Sequence, residues 1–103
     1  MRLMLFLSVF IPLAGLADVA PQRQAELLHL LKHDCGSCHG MTLKGGLGVA
    51  LTPEALAQRP AEFLLTTILD GRSGTPMPPW RSVLTREEAA WLVDVLRTGG
   101  FDE

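Results

Sequence analysis

Five consecutive residues, Cys35-Gly36-Ser37-Cys38-His39, constrain this chain more than any other feature. The pattern is Cys-x-x-Cys-His, the attachment signature of a covalently bound c-type haem. On a helical turn Cys35 and Cys38 lie three residues apart, and Cys35 and His39 four apart. All three side chains can then share one face, with Cβ atoms roughly 5–6 Å from their neighbours. Two thiols can reach two vinyl groups on one edge of the macrocycle while the imidazole drops beneath the iron. A cofactor of this size must be accommodated by the fold, and its chemistry limits what the protein does.

Three other readings use the same residues. A Cys-Gly-Ser-Cys run matches a thioredoxin-type redox pair, but that pair belongs in a βαβ context, and this chain shows almost no period-two alternation. A zinc site could take Cys35 and Cys38 with two of His29, His33 and His39. Structural zinc usually draws its second ligand pair from a distant segment, whereas all five candidates crowd into residues 29–39. A disulfide between the two cysteines closes a loop too short to staple a fold. One haem c, bonded through two thioethers at Cys35 and Cys38, is the reading carried forward.

Residues 1–17 read as an export signal, leaving residues 18–103 as the working domain. Arg2 supplies the positive charge, and Leu3 to Leu16 form an apolar run interrupted by Ser8, Pro12 and Gly15. Gly15-Leu16-Ala17 is a small-x-small site, which puts cleavage between Ala17 and Asp18. The run is shorter than the ~20 residues of a spanning helix, so no membrane span is expected after cleavage. Export agrees with the haem motif, because covalent haem attachment in bacteria takes place outside the cytoplasm. The expected location is the periplasm.

Without the leader the chain is one small domain of 86 residues out of 103. Only Arg2 is lost among the charged residues, so eight basic residues face eleven acidic ones and the formal charge moves from −2 to −3. That balance, with no basic cluster, argues against nucleic-acid binding. No repeat, low-complexity tract or linker divides the chain, and a monomer is expected. So short a chain builds only a marginal apolar core. A large planar haem would supply the missing core, so the apoprotein is expected to be largely unfolded.

The periodicity predicts an all-α chain. A first helix runs from about Pro21, which suits position N1, into the haem motif, with Ala25, Leu27, Leu28, Leu30 and Leu31 as its apolar stripe. Gly45, Gly46 and Gly48 then form a loop able to approach the haem closely. Thr52-Pro53-Glu54 starts a short helix. Pro60 opens another, carrying Phe63, Leu64, Leu65, Ile68 and Leu69 and stopped by Gly71. The last helix begins at Thr85, where Glu88 completes a capping box, and stops at Gly99-Gly100. Ala89, Leu92, Val93 and Leu96 face the core, widened by Trp91 and Val95, with Trp91 read as helix packing.

An iron held by His39 leaves an axial position opposite, and its occupant decides the function. Methionine there favours electron transfer; an open position permits gas binding or catalysis. His29 and His33 fall on the helix leading into the motif, on the proximal side, and read as two half-exposed histidines at i,i+4. Met41 follows His39 too closely to cross the ring plane. Met77 lies 38 residues after His39, within Gly71-Arg72-Ser73-Gly74-Thr75-Pro76-Met77-Pro78-Pro79-Trp80. Its flanking prolines fix φ and remove donors, favouring a stiff extended strap that can press a thioether onto iron. Met77 is the candidate distal ligand, with an ordinary loop methionine as the other reading.

With its N-terminal Cys-x-x-Cys-His helix, glycine loop, methionine strap and C-terminal helix, the chain resembles a class I cytochrome c. Within that class, His33-Asp34-Cys35-Gly36-Ser37-Cys38-His39-Gly40 followed by Leu43-Lys44-Gly45-Gly46-Leu47-Gly48 is similar to the cytochrome c-55X group of denitrifying bacteria, as is the strap. That group is associated with cytochrome cd1 nitrite reductase. The resemblance implies Cys35 and Cys38 as cofactor attachments, and His39 and Met77 as proximal and distal metal ligands. It also implies a fold whose first and last helices cross beside one covalent haem. Many class I sequences carry Gly-Pro-x-Leu after the glycine loop, where the proline carbonyl accepts a hydrogen bond from the proximal imidazole. Here the segment is Gly48-Val49-Ala50-Leu51, which keeps the carbonyl and loses the fixed φ.

The expected function is one-electron transport by Fe(III)/Fe(II) cycling, without catalysis. The expected partners are redox proteins: cytochrome cd1 nitrite reductase, or the proteins that assemble it. The alternative is an accessory role in maturing the reductase or its haem d1; a ligand-binding haem sensor or enzyme is a further one. Lys32, Lys44, Arg72 and Arg81 lie near segments that should frame the haem, and a locally basic rim orienting a partner is one reading of them. Solvated surface charge is the other. Trp80 is read either as a donor to a haem propionate or as a cover over the ring.

Overall fold

The computed structural model describes Met4 and residues 19–101. The expected leader, residues 1–17, apart from Met4 lies outside the described residues, as does its cleavage point. All regular structure among the described residues is helical: α1 (Pro21–Leu30), a π-helical segment (Leu31–Cys35), α2 (Gly36–His39), α3 (Pro53–Leu56), α4 (Ala61–Asp70) and α5 (Arg86–Thr98). No described helix is long and apolar enough to cross a membrane.

Pro21 opens α1 as expected, and the first free carbonyl, that of Ala20, accepts from the Gln24 N–H at 2.9 Å. The helix does not run into the motif with uniform winding. Between Leu31 and Cys35 it widens to a π turn, and the Gly36 N–H reaches back five residues to the Leu31 carbonyl. Leu27 and Leu31 are both fully buried across this change of winding. Ala25, expected on the apolar stripe, is exposed.

α3 is capped by Thr52, whose hydroxyl accepts from the Ala55 N–H at 3.3 Å. Pro60 sits one position before the first helical residue of α4, with an extended ψ of 144°, so it caps that helix instead of beginning it. The expected capping box of α5 is complete. Thr85 Oγ1 accepts from the Glu88 N–H at 3.1 Å, and Glu88 Oε1 accepts from the Thr85 N–H at 2.8 Å. At the other end Gly99 turns left-handed, and the Gly99 and Gly100 N–H groups both bond the Val95 carbonyl.

Helix α5 is the hub. It packs against α4, α3 and α1, so the first and last helices meet as the resemblance implied. The core joins Leu27 and Leu31 to Leu56, Leu65, Leu69, Ala89, Leu92, Val93 and Leu96, with Leu43 and Leu84 entering from loops. Trp91 is half-buried against this cluster, in keeping with a packing role. Phe63 departs from the expected stripe: it is 44% exposed, with the Arg59 guanidinium 5.6 Å from its ring centroid.

One carboxylate clamps α1 to α5. Glu88 Oε2 accepts from the Arg23 guanidinium while its other oxygen caps α5. Arg23 also donates to Glu26 at 2.9 Å and to the Val83 carbonyl at 3.3 Å. The guanidinium, followed by the Thr85 backbone donor, holds the Glu88 carboxyl below the usual carboxylate range.

Candidate haem site

The motif thiols sit at the junction of two windings. Cys35 ends the π segment and is half-buried; Cys38 is exposed in α2. Both are free, so the disulfide reading loses its bond. Burial, reinforced by Asp34 and Cys38, pushes the Cys35 thiol up to about 11. A thioredoxin-type nucleophile needs the opposite shift, and this surrounding does not provide it. Among the described residues no three His, Cys, Asp or Glu side chains converge on a common point, so the zinc reading lacks its cage. His29 and His33 are exposed, more so than the half-exposure expected, with ring centroids 4.2 Å apart.

After His39 the glycine segment folds back onto the end of α2. The Gly45 N–H donates to the His39 carbonyl at 2.9 Å and the Gly48 N–H to the Cys38 carbonyl at 2.7 Å, satisfying two groups that a helix C-terminus leaves open. A further bond from the Leu51 N–H to the Leu43 carbonyl, 2.8 Å, closes the loop. This return delivers the Val49 carbonyl to 2.7 Å from His39 Nδ1. A carbonyl only accepts, so Nδ1 carries the proton and Nε2 keeps its lone pair for a metal. Position 48 has to be glycine here, since a Cβ would stand 2.7 Å from both Cε1 and Nδ1 of the imidazole. The bond expected of a proline carbonyl is therefore made by Val49 without proline. Loop closure does the work of a fixed φ.

The segment carrying Met77 is pinned to the C-terminal end of α4. The N–H groups of Trp80 and Arg81 donate to the carbonyls of Ile68 and Leu69 at 3.0 and 3.2 Å. Gly71 turns the chain with a φ of 68°, and a Cβ there would meet the Met77 oxygen at 2.7 Å and the Pro78–Pro79 backbone at 2.8 Å. The Arg72 N–H donates to the Met77 carbonyl at 3.2 Å, pairing the two arms of the strap. Between them Thr75 Oγ1 donates to the Arg72 carbonyl at 2.7 Å and accepts from the Met77 N–H at 3.3 Å. Met77 itself is half-buried. The flanking prolines and the haem motif pointed to Met77 as a candidate; Gly71 as the floor of the strap and Thr75 as its internal tie were missed, because both act through backbone atoms brought close by folding.

The expected basic rim is thinner than the sequence indicated. Arg81 is paired with Asp70, at 3.0 Å from Nε and 2.5 Å from Nη2. Lys32, Lys44 and Arg72 form no ion pair among the described residues. Trp80 is half-buried against the core.

The donor set fits a haem of the attached type: two unbridged thiols, an imidazole with Nε2 free, and a thioether on a rigid strap. The segment that follows the motif keeps apolar side chains exposed, Leu47 by 95%, Val49 by 68% and Met41 by 48%.

Residues 22–95 match the family described as cytochrome c oxidase, cbb3-type, subunit III. Cytochrome c55X of Pseudomonas aeruginosa is 58% identical over 99 residues, which span 94% of this chain and 83% of that protein. Cytochrome c55X of Stutzerimonas stutzeri is 52% identical over 95% of this chain and 88% of its own length. The Paracoccus denitrificans protein of the same name is 49% identical over 93% and 91%. Among solved structures, a c-type cytochrome NirC superimposes with a TM-score of 0.81 at 55% identity, covering 82% of this chain and all of that one.

Proposed function

This chain belongs to the c-type cytochromes, in the cytochrome c55X group, and on that footing we propose that it is a periplasmic monohaem electron carrier. Cys35 and Cys38 bind the cofactor through thioethers. His39 Nε2 and the Met77 thioether would hold its iron. The bound haem supplies a one-electron Fe(III)/Fe(II) couple. The chain's part is to keep both ligands in place in either state: Val49 orients the imidazole, and the prolines with Gly71 and Thr75 restrict the strap. A closed, preorganised coordination sphere suits outer-sphere transfer rather than ligand binding.

The single observation that supports this most is His39 Nδ1 donating to the Val49 carbonyl at 2.7 Å, because it leaves only Nε2 for iron. Optical spectra of the holoprotein in both oxidation states test it. A weak ferric band toward the red, of the sulfur-to-iron type, and a ferrous form that resists carbon monoxide are expected. A high-spin ferric spectrum with ready carbon monoxide binding overturns the His/Met assignment.

We further propose that the partner is cytochrome cd1 nitrite reductase, met in the periplasm after removal of residues 1–17. Support comes from the cytochrome c55X relatives and from the leader-like start of the sequence. Gene deletion tests the direction of this link. A reductase that keeps haem d1 but is starved of electrons supports a donor. A reductase lacking haem d1 moves the role to assembly.

A further inference from the structure

Two histidines have no part in the site described above. His29 lies at the end of α1 and His33 inside the π segment, both exposed, with ring centroids 4.2 Å apart and planes inclined by 40°. An i,i+4 spacing on a helix puts two side chains one above the other on a single face. Of the three histidines only His39 is hydrogen-bonded within the described structure, so the ring nitrogens of His29 and His33 are uncommitted. Glu26, one turn before His29, is engaged with Arg23.

We propose that His29 and His33 form an exchangeable two-imidazole site for a borderline divalent transition cation of the Zn(II), Cu(II) or Ni(II) type. Neutral imidazole is the ligand that these cations share, and two of them at this spacing form a chelate. Bonds of about 2.0–2.1 Å require only rotation of two exposed side chains. No third His, Cys, Asp or Glu converges here, so water completes the coordination and the site loads and unloads freely. The site lies across the α-to-π junction, two residues before Cys35. A bound cation thus staples the turn that delivers the haem motif. Carbonyl, carboxylate and water suit Mg(II) and Ca(II), and this all-nitrogen pair discriminates against both.

The test uses ferric holoprotein, in which the thioether-bonded cysteines do not compete, titrated with Zn(II) in a non-chelating buffer. One equivalent should bind in the micromolar range, and H29A and H33A should each weaken it at least tenfold. Cu(II) added to the same protein should give a paramagnetic resonance signal with nitrogen ligation that both variants lose. Unchanged haem spectra of the variants show that each is folded. Wild-type protein with no saturable Zn(II) binding below the millimolar range, or variants that bind as wild type does, overturns the proposal.

Discussion

His39 Nδ1 donates to the Val49 carbonyl at 2.7 Å, and Gly48, immediately before Val49, leaves no room for a Cβ beside the same imidazole ring. The acceptor is backbone, so V49A should leave the ring orientation unchanged. G48A should not, because its Cβ would stand 2.7 Å from two ring atoms. Outer-shell partners of metal-bound histidines typically matter by roughly 10–100-fold in affinity or activity. We expect G48A holoprotein to form in reduced yield with a shifted midpoint potential, and V49A to match wild type in redox titration.

Glu88 should hold a pH-dependent share of the stability. Its carboxyl is lowered in the folded state, first by Arg23 and then by the Thr85 N–H. A lowered folded value means that the contribution is complete above the unfolded carboxylate value, about 4.3, and is lost as pH falls through the folded one. E88A should cost about 1–2 kcal/mol at neutral pH, since it removes both a helix cap and a charged hydrogen bond. In denaturant titrations at successive pH values, the gap between wild type and E88Q should hold down to about pH 4.3 and close below it. A gap independent of pH would contradict the assignment.

Glu88 also shows how far the sequence could be read. Its capping box with Thr85 is a local pattern, four residues long, and was legible; its other oxygen pairs with Arg23, 65 residues away, and was not. The haem motif was legible because attachment chemistry requires those residue types at that spacing. The π turn at Leu31–Cys35 was not, since its apolar positions continue the spacing of α1. Position 49 lacks proline, so the sequence left its carbonyl geometry open; closure of the loop through Gly45 and Gly48 settles it. Arg81 could be read as a rim cation or as solvated surface charge, and the chain's return brings Asp70 against it. Patterns carried by residue type at a fixed spacing were visible, and contacts made through the backbone or by tertiary return of the chain were not.

Gly71 should be intolerant of any side chain. Its φ of 68° is strained for an L-residue, and its missing Cβ leaves room for the backbone of Met77, Pro78 and Pro79. The obstructing atoms are main chain, held by prolines, so they cannot rotate away as a flexible side chain would. The backbone strain alone is on the order of 1–3 kcal/mol. G71A should therefore displace the strap, weaken the ferric sulfur-to-iron band and open the ferrous iron to carbon monoxide. If G71A keeps a full-strength band and resists carbon monoxide, the strap does not govern the sixth position.

Thr75 offers a gentler perturbation of the same strap. Its hydroxyl donates to the Arg72 carbonyl at 2.7 Å and accepts from the Met77 N–H at 3.3 Å, so one oxygen ties both arms together. T75S keeps that oxygen and should behave as wild type. T75V keeps the branched shape but removes the tie. It should cost at most about 0.5 kcal/mol of global stability, the low end for a hydrogen bond, because these groups are exposed and water can replace the lost partner. The global fold rests on the α1–α4–α5 core, so melting should change little while ligand exchange changes more. Holoprotein carrying T75V should bind carbon monoxide faster than T75S at nearly the same Tm. Equal carbon monoxide rates for T75V and T75S would show that the prolines alone hold Met77 in place.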